Sequence, residues 1–64
     1  MTTYSIVKQK DGYAIFEVTF NGARARSERV AFKINNLGLA ARIVMYLHIT
    51  IGDVKRAVKL AKAG

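Results

Sequence analysis

The chain has no cysteine, no proline and no tryptophan, and its 64 residues include one histidine and four acidic side chains. Without cysteine there are no disulfides, thiolate–zinc sites or cysteine nucleophiles. Without proline, a repeat or a low-complexity tract, nothing divides the chain, and residues 1–64 read as a single domain. Asp11, Glu17, Glu28, Asp53 and the lone His48 leave little for acid–base chemistry, which needs titratable groups converging on a pocket. Asp11 and Asp53 stand where turn and cap residues belong, and no Gly-rich phosphate loop, HExxH or GxSxG occurs. The expectation is a protein that is not an enzyme and needs no cofactor or metal. His48 reads as a turn or core histidine rather than as a ligand or pH switch. Long apolar runs are also missing. The longest, residues 37–51, is interrupted by Arg42 and His48 and falls short of the roughly 20 residues a membrane span needs. The first residues lack a basic stretch followed by an apolar run. A soluble, cytoplasmic protein without membrane attachment is expected.

What the chain does have is cationic charge and apolar bulk. Lys and Arg number 11, the formal net charge is +7, and 52% of the residues are hydrophobic. A disordered basic tail would be far poorer in apolar residues, so the composition describes a folded domain. A chain this short buries only about 60% of the surface its unfolded form exposes. Small domains usually add disulfides, a metal or a partner subunit. With the first two excluded, self-association or docking on a larger partner is the remaining supplement.

The N-terminal half has the pattern of an antiparallel sheet. The Asp11-Gly12 and Asn21-Gly22 pairs accept positive φ and close tight hairpins. Alternating β-prone runs at 4–10, 13–20 and 23–34 then form a three-stranded meander. Two-residue turns at those pairs set Lys8 opposite Ile15, Val7 opposite Phe16, Phe20 opposite Ala23, and Glu17 opposite Arg26. One face then carries Val7, Ala14, Phe16, Val18, Phe20, Ala23 and Ala25, an apolar set suited to a core. The other carries Tyr4, Ile6, Lys8, Lys10, Tyr13, Ile15, Glu17, Arg24 and Arg26, and is expected to face solvent. Parity fails beyond Ser27, which predicts a bulge at residues 27–29 that returns Val30, Phe32 and Ile34 to the core.

In the C-terminal half, Thr50 and Asp53 resemble a capping box that opens a helix. From there Val54, Ala57, Val58 and Ala61 recur at helical spacing, with Lys55, Arg56, Lys59 and Lys62 on the other side. Residues 36–49 fit two descriptions. Leu37, Ala40, Ala41, Val44 and His48 suit a helix behind an Asn cap, whereas Ile43, Met45, Leu47, Ile49 and Ile51 alternate as in a strand. Residues 42–51 therefore stay open between helix and strand, with helix favoured because it shields the sheet better. The whole reads as an α+β domain, a three-stranded antiparallel β-meander followed by one or two α-helices packed on one sheet face.

Two surfaces are candidate sites. On the sheet face expected to be exposed, Lys8, Lys10, Arg24 and Arg26 combine phosphate-seeking charge with Tyr4 and Tyr13, which can pack on sugars or bases. A sheet presented in this way can lie in a major groove, with arginine reading guanine. The plainer description is a solvated face with a Glu17–Arg26 cross-strand pair. The exposed apolar pair Ile6 and Ile15 favours a contact surface. The second surface is the C-terminal helix, with Lys55, Arg56 and Lys59; its plainer description is an amphipathic helix with a charged outer side.

Residues 46–58 resemble the turn and second helix of a helix-turn-helix. That resemblance implies DNA contacts from Thr50, Ile51, Gly52, Lys55, Arg56 and Lys59, although His48 stands where glycine is usual. The same stretch, with 29–34 as a ribbon, is similar to ribbon-helix-helix repressors, in which the ribbon pairs between two chains. Residues 4–48 resemble in topology the arm-binding domains of phage-type integrases.

The function these features imply is non-enzymatic nucleic-acid binding by a small regulatory or architectural protein, with duplex DNA favoured. A homodimer is also expected, with the nearly uncharged segment 43–52 as a candidate seam. The alternative is a phage-type inhibitor or regulator docking on an acidic partner protein, with Ile6, Ile15 and the tyrosines as anchors.

Overall fold

A computed structural model describes residues 1–63, and has the α+β architecture. Strands β1 (Thr2–Gln9), β2 (Gly12–Asn21) and β3 (Arg24–Ile34) form one antiparallel sheet in the order β1-β2-β3. Helices α1 (Leu37–Ile49) and α2 (Val54–Ala63) follow. No helix among the described residues is long and apolar enough to cross a membrane.

Both hairpins exist, but each turn falls one residue away from the expected pair. The first turn is made by Lys10 and Asp11, with Gln9 opposite Gly12, and the second by Gly22 and Ala23, with Asn21 opposite Arg24. Gly22, at φ 65°, occupies the first central position, where a type II′ hairpin requires positive φ. Gly12, at φ 131°, is a strand residue, and a Cβ there would lie 2.7 Å from the Ile34 carbonyl oxygen. It is needed for close approach of β3 as well as for turning. The register consequently slips by two residues. Lys8 faces Tyr13, Ile6 faces Ile15, and Glu17 faces Glu28 rather than Arg26.

A two-residue slip preserves face membership, yet the helices cover the face expected to be solvent-exposed. Ile15 is fully buried with Ile34, Ala40, Ile43, Leu47, Ala57 and Ala61, and Tyr4, Ile6 and Tyr13 pack against that cluster. The set expected to form the core is on the opposite side, where Phe20 is 45% exposed. The physical reason lies in where the charges sit. Lys8 and Lys10 are at one end of the sheet and Arg24 and Arg26 at the other, while its middle rung is Ile6, Ile15 and Ala31. A face that is apolar at its centre and cationic at its ends can take a helix across the middle and still keep its charges in water.

The expected bulge is real but displaced. Register shifts fall between the Phe16, Ile15 and Tyr13 rungs, bringing in Val30 and then Phe32 and Lys33, the last at φ 55°. They turn Val30 and Ile34 to the core but leave Phe32 51% exposed, against expectation.

Residues 37–49 are helical, which settles the open choice. Asn36 caps α1, its side-chain oxygen accepting from the Leu39 amide at 2.7 Å. Thr50 does not open α2 as expected; it closes α1, its hydroxyl donating to the Tyr46 carbonyl at 2.7 Å. The cap of α2 is Asp53, which accepts from the Arg56 amide at 3.2 Å. Between the helices the Gly52 amide donates to the Leu47 carbonyl at 2.9 Å, as in a Schellman motif, with Ile51 at φ 55° in the place glycine usually takes. α1 crosses the sheet and α2 returns beside it over the β3 margin, where Val58 and Lys62 line a depression with residues 31–35.

Candidate nucleic-acid interface

The fold does not gather the eight predicted residues into one site. Lys8, Lys10 and Tyr13 stand at the β1–β2 turn, with the Lys8 ammonium 4.7 Å from the centre of the half-buried Tyr13 ring. Arg24 and Arg26 lie at the other end, where they line a ledge of about 420 Å3 with Thr19, Asn21 and Ala25. Tyr13 and the Asn21 rung are eight residues apart on β2, or about 26 Å. Lys55, Arg56 and Lys59 are exposed on α2. Tyr4 and Tyr13, expected as stacking partners for bases, pack against the core instead.

A different grouping emerges along β3 and α2. Four cations, Arg24, Arg26, Arg29 and Lys33, lie on β3, and four more, Lys55, Arg56, Lys59 and Lys62, lie on α2. Eight of the 11 Lys and Arg residues thus belong to two elements that line a common depression, with Arg29 turned to the opposite face of the sheet, and Glu28 is the one acid within either element. The i, i+4, i+7 spacing aligns Lys55, Lys59 and Lys62 on the side of α2 that turns Val58 and Lys62 to β3. The turn before α2 lies over the Tyr4–Glu17 rung. The helix therefore starts near the β1–β2 side at mid-sheet and ends with Lys62 in the depression that Lys33 also lines. Lys62 in the last turn complements the helix dipole, whereas Lys55 and Arg56 in the first turn oppose it.

Arg29, Lys33 and Lys62 are absent from the sequence-level site. The spacing of Lys62 was legible, and Arg29 sits opposite Phe16 in the regular ladder on the outer face, but the placement of Lys33 depends on the bulges. Arg29 lies with its guanidinium 4.4 Å from the Phe32 ring centre, and the Lys33 ammonium lies 5.8 Å from it.

Tyr4, Glu17 and His48 also converge, at an open depression of about 260 Å3. The Tyr4 hydroxyl donates to Glu17 Oε2 at 3.4 Å, and the His48 ring meets Tyr4 edge-on at 5.1 Å between centres. Burial, then the Glu17 charge and its hydrogen bond, raise the Tyr4 phenol above its ordinary value.

The family resemblances fare unevenly. A helix-turn-helix would have Thr50 open its second helix, but Thr50 ends the first. A ribbon-helix-helix would pair residues 29–34 between chains, but they are already paired with β2 of their own chain. The integrase-like order of three strands and a helix is present. Comparison with protein-family models, curated proteins and solved structures returns no match to this chain.

Proposed function

We propose that the chain is a non-enzymatic nucleic-acid-binding protein, with duplex DNA the favoured target, and that Arg24, Arg26 and Lys33 of β3 with the α2 cations are its contact surface. The observation that carries this reading is that four cations of α2 and three of β3, with one acid, stand on two elements that line a common depression. Phosphate neutralisation by such a flank supplies sequence-independent affinity. The ten residues of α2 span about 15 Å, a length that fits a major groove about 12 Å wide. Phosphates would also offset the unfavourable dipole interaction of Lys55 and Arg56. With Tyr4 and Tyr13 against the core, base stacking has lost its expected platform, which favours duplex over single strands.

The test is a fluorescence-anisotropy titration with random duplex DNA at two salt concentrations. Binding in the micromolar range should weaken steeply, with a log–log slope of about −0.9 per phosphate neutralised. The double substitution Lys59→Glu and Lys62→Glu should abolish binding, and Lys8→Glu with Lys10→Glu should only reduce it. No signal at low salt, or equal losses from both pairs, would remove the reading.

One observation favours a second reading, docking on an acidic protein. Met45, Ile49 and Ile51 form an exposed apolar stripe on α1 and its turn, with Arg42 on the same side; Ile51 is 94% exposed. They take the anchoring role that buried Ile15 cannot fill. Such a complex would lose mainly association rate as salt rises.

A further inference from the structure

The outer face of the sheet, away from both helices, presents Val7, Phe16, Val18, Phe20 and Phe32 around Ala14. Val7, Phe20 and Phe32 are 40%, 45% and 51% exposed. Exposed phenylalanines grouped on one surface mark a contact site in small proteins. We propose that this face binds the same face of a second copy of the chain, so that two sheets pack together with the helices outside.

Charge identifies the occupant. A chain of net charge +7 repels its copy wherever lysines and arginines meet. The cations at this face are Arg29, opposite Phe16, and Lys33, both gathered at the Phe32 ring on its β3 margin, and the β1 and β2 residues of the face carry no charge. An acidic partner would be drawn to the α2 flank, not to a surface with almost no charge. An apolar, nearly neutral face is instead complementary to itself, as a two-fold interface requires.

Size sets the strength. Strands of 8, 10 and 11 residues, about 4.8 Å apart, give a face of roughly 400 Å2 in flat projection. That is about half of the roughly 800 Å2 per partner of a standard interface, so the dimer is a weak one that forms at high protein concentration. Seven buried hydrophobic residues make up the core under the helices, and the chain has no cysteine for a disulfide. A second apolar layer is the reinforcement that small domains draw from a subunit. This places the seam on the sheet rather than on residues 43–52. It uses none of the α2 cations, nor Arg24 or Arg26, and of the β3 cations takes in only Arg29 and Lys33, the neighbour of Phe32, so it stands whether or not DNA binds to α2.

Sedimentation equilibrium from micromolar to millimolar protein tests the proposal. The chain should be a dimer at high concentration, and Val18→Lys, which puts a cation at the centre of the seam, should weaken it more than about tenfold. Ile49→Lys, on α1, should leave the dimer intact. Should Val18→Lys fail to fold by circular dichroism, single thiols decide, since the chain has none of its own. Ser5→Cys, on the outer face, should give covalent dimer with a short bis-maleimide, and Lys59→Cys should give none. A monomer at all concentrations, dissociation by Ile49→Lys, or cross-linking only through position 59 would overturn it.

Discussion

On the helix side of the sheet, Ile6 and Ile15 meet across one rung and pack with Ala40, Ile43 and Leu47. On the other side Val7, Phe16, Val18 and Phe20 are just as apolar, yet neither helix lies over them. The difference does not come from hydrophobicity, which is similar on both faces or greater on the uncovered one. It comes from shape and position. The covered rung continues into Ala31 and offers a low platform on which Ala40 can approach closely, and the bulges in β3 lead the chain into Asn36 on that side. An apolar face in a strand pattern is therefore a statement about burial by something. Whether that is the chain's own helix or another molecule is decided elsewhere.

Cutting into the two faces should give unequal costs. Leu47→Ala removes a fully buried side chain from the covered side and should cost about 3 kcal/mol, enough to unfold much of so small a domain. Phe20→Ala on the outer face should cost about 1 kcal/mol or less at concentrations where the chain is monomeric. Urea melts of both variants at low protein concentration measure the gap, and equal losses would erase the distinction between the faces.

Gly12→Ala should cost about 2 kcal/mol, again by urea melt. A Cβ would press on the Ile34 carbonyl and the backbone would be held at positive φ, disturbing the junction of β2 with the end of β3.

The turn that holds both helices over the covered face should respond in the opposite direction. Ile51→Gly should raise stability by about 1 kcal/mol, because a β-branched residue at positive φ is strained and this one is 94% exposed. A melting temperature that fell would show that Ile51 makes contacts within the fold.

The smallest effect lies at the margin of the covered face. Tyr4 holds its proton more tightly when folded than its ordinary value of 10.0 allows, so its contribution is complete below that pH. It is lost as pH rises through the folded midpoint. Glu17→Gln should lower that midpoint, read by absorbance at 295 nm in a chain also carrying Tyr13→Phe and Tyr46→Phe.

Much of this architecture was legible in the residues. Gly12 and Gly22 mark two hairpins, Asn36 a helix start, and the Val54, Ala57, Val58, Ala61 spacing an amphipathic helix. These signals are local, each depending on a few neighbours and on the steric demands of one backbone position. The turns were misplaced by one residue because a glycine can serve inside a turn or just after it, and only the close approach of Ile34 to Gly12 distinguishes the two. The candidate site was less legible. Lys55, Arg56 and Lys59 share α2, but joining that helix to Lys33 required the β3 bulges and the return path of α2.

By itself, then, the sequence determined the three strands and the last helix, their order, the two sets of residues on opposite sides of the sheet, and an excess of cations, and it left residues 42–51 open between helix and strand. Tertiary structure alone decided which side the helices cover and which cations become neighbours. Periodicity sorts side chains onto faces through covalent geometry, whereas the choice between two apolar faces depends on how closely a helix can approach each one, and that is a property of distant residues meeting in space.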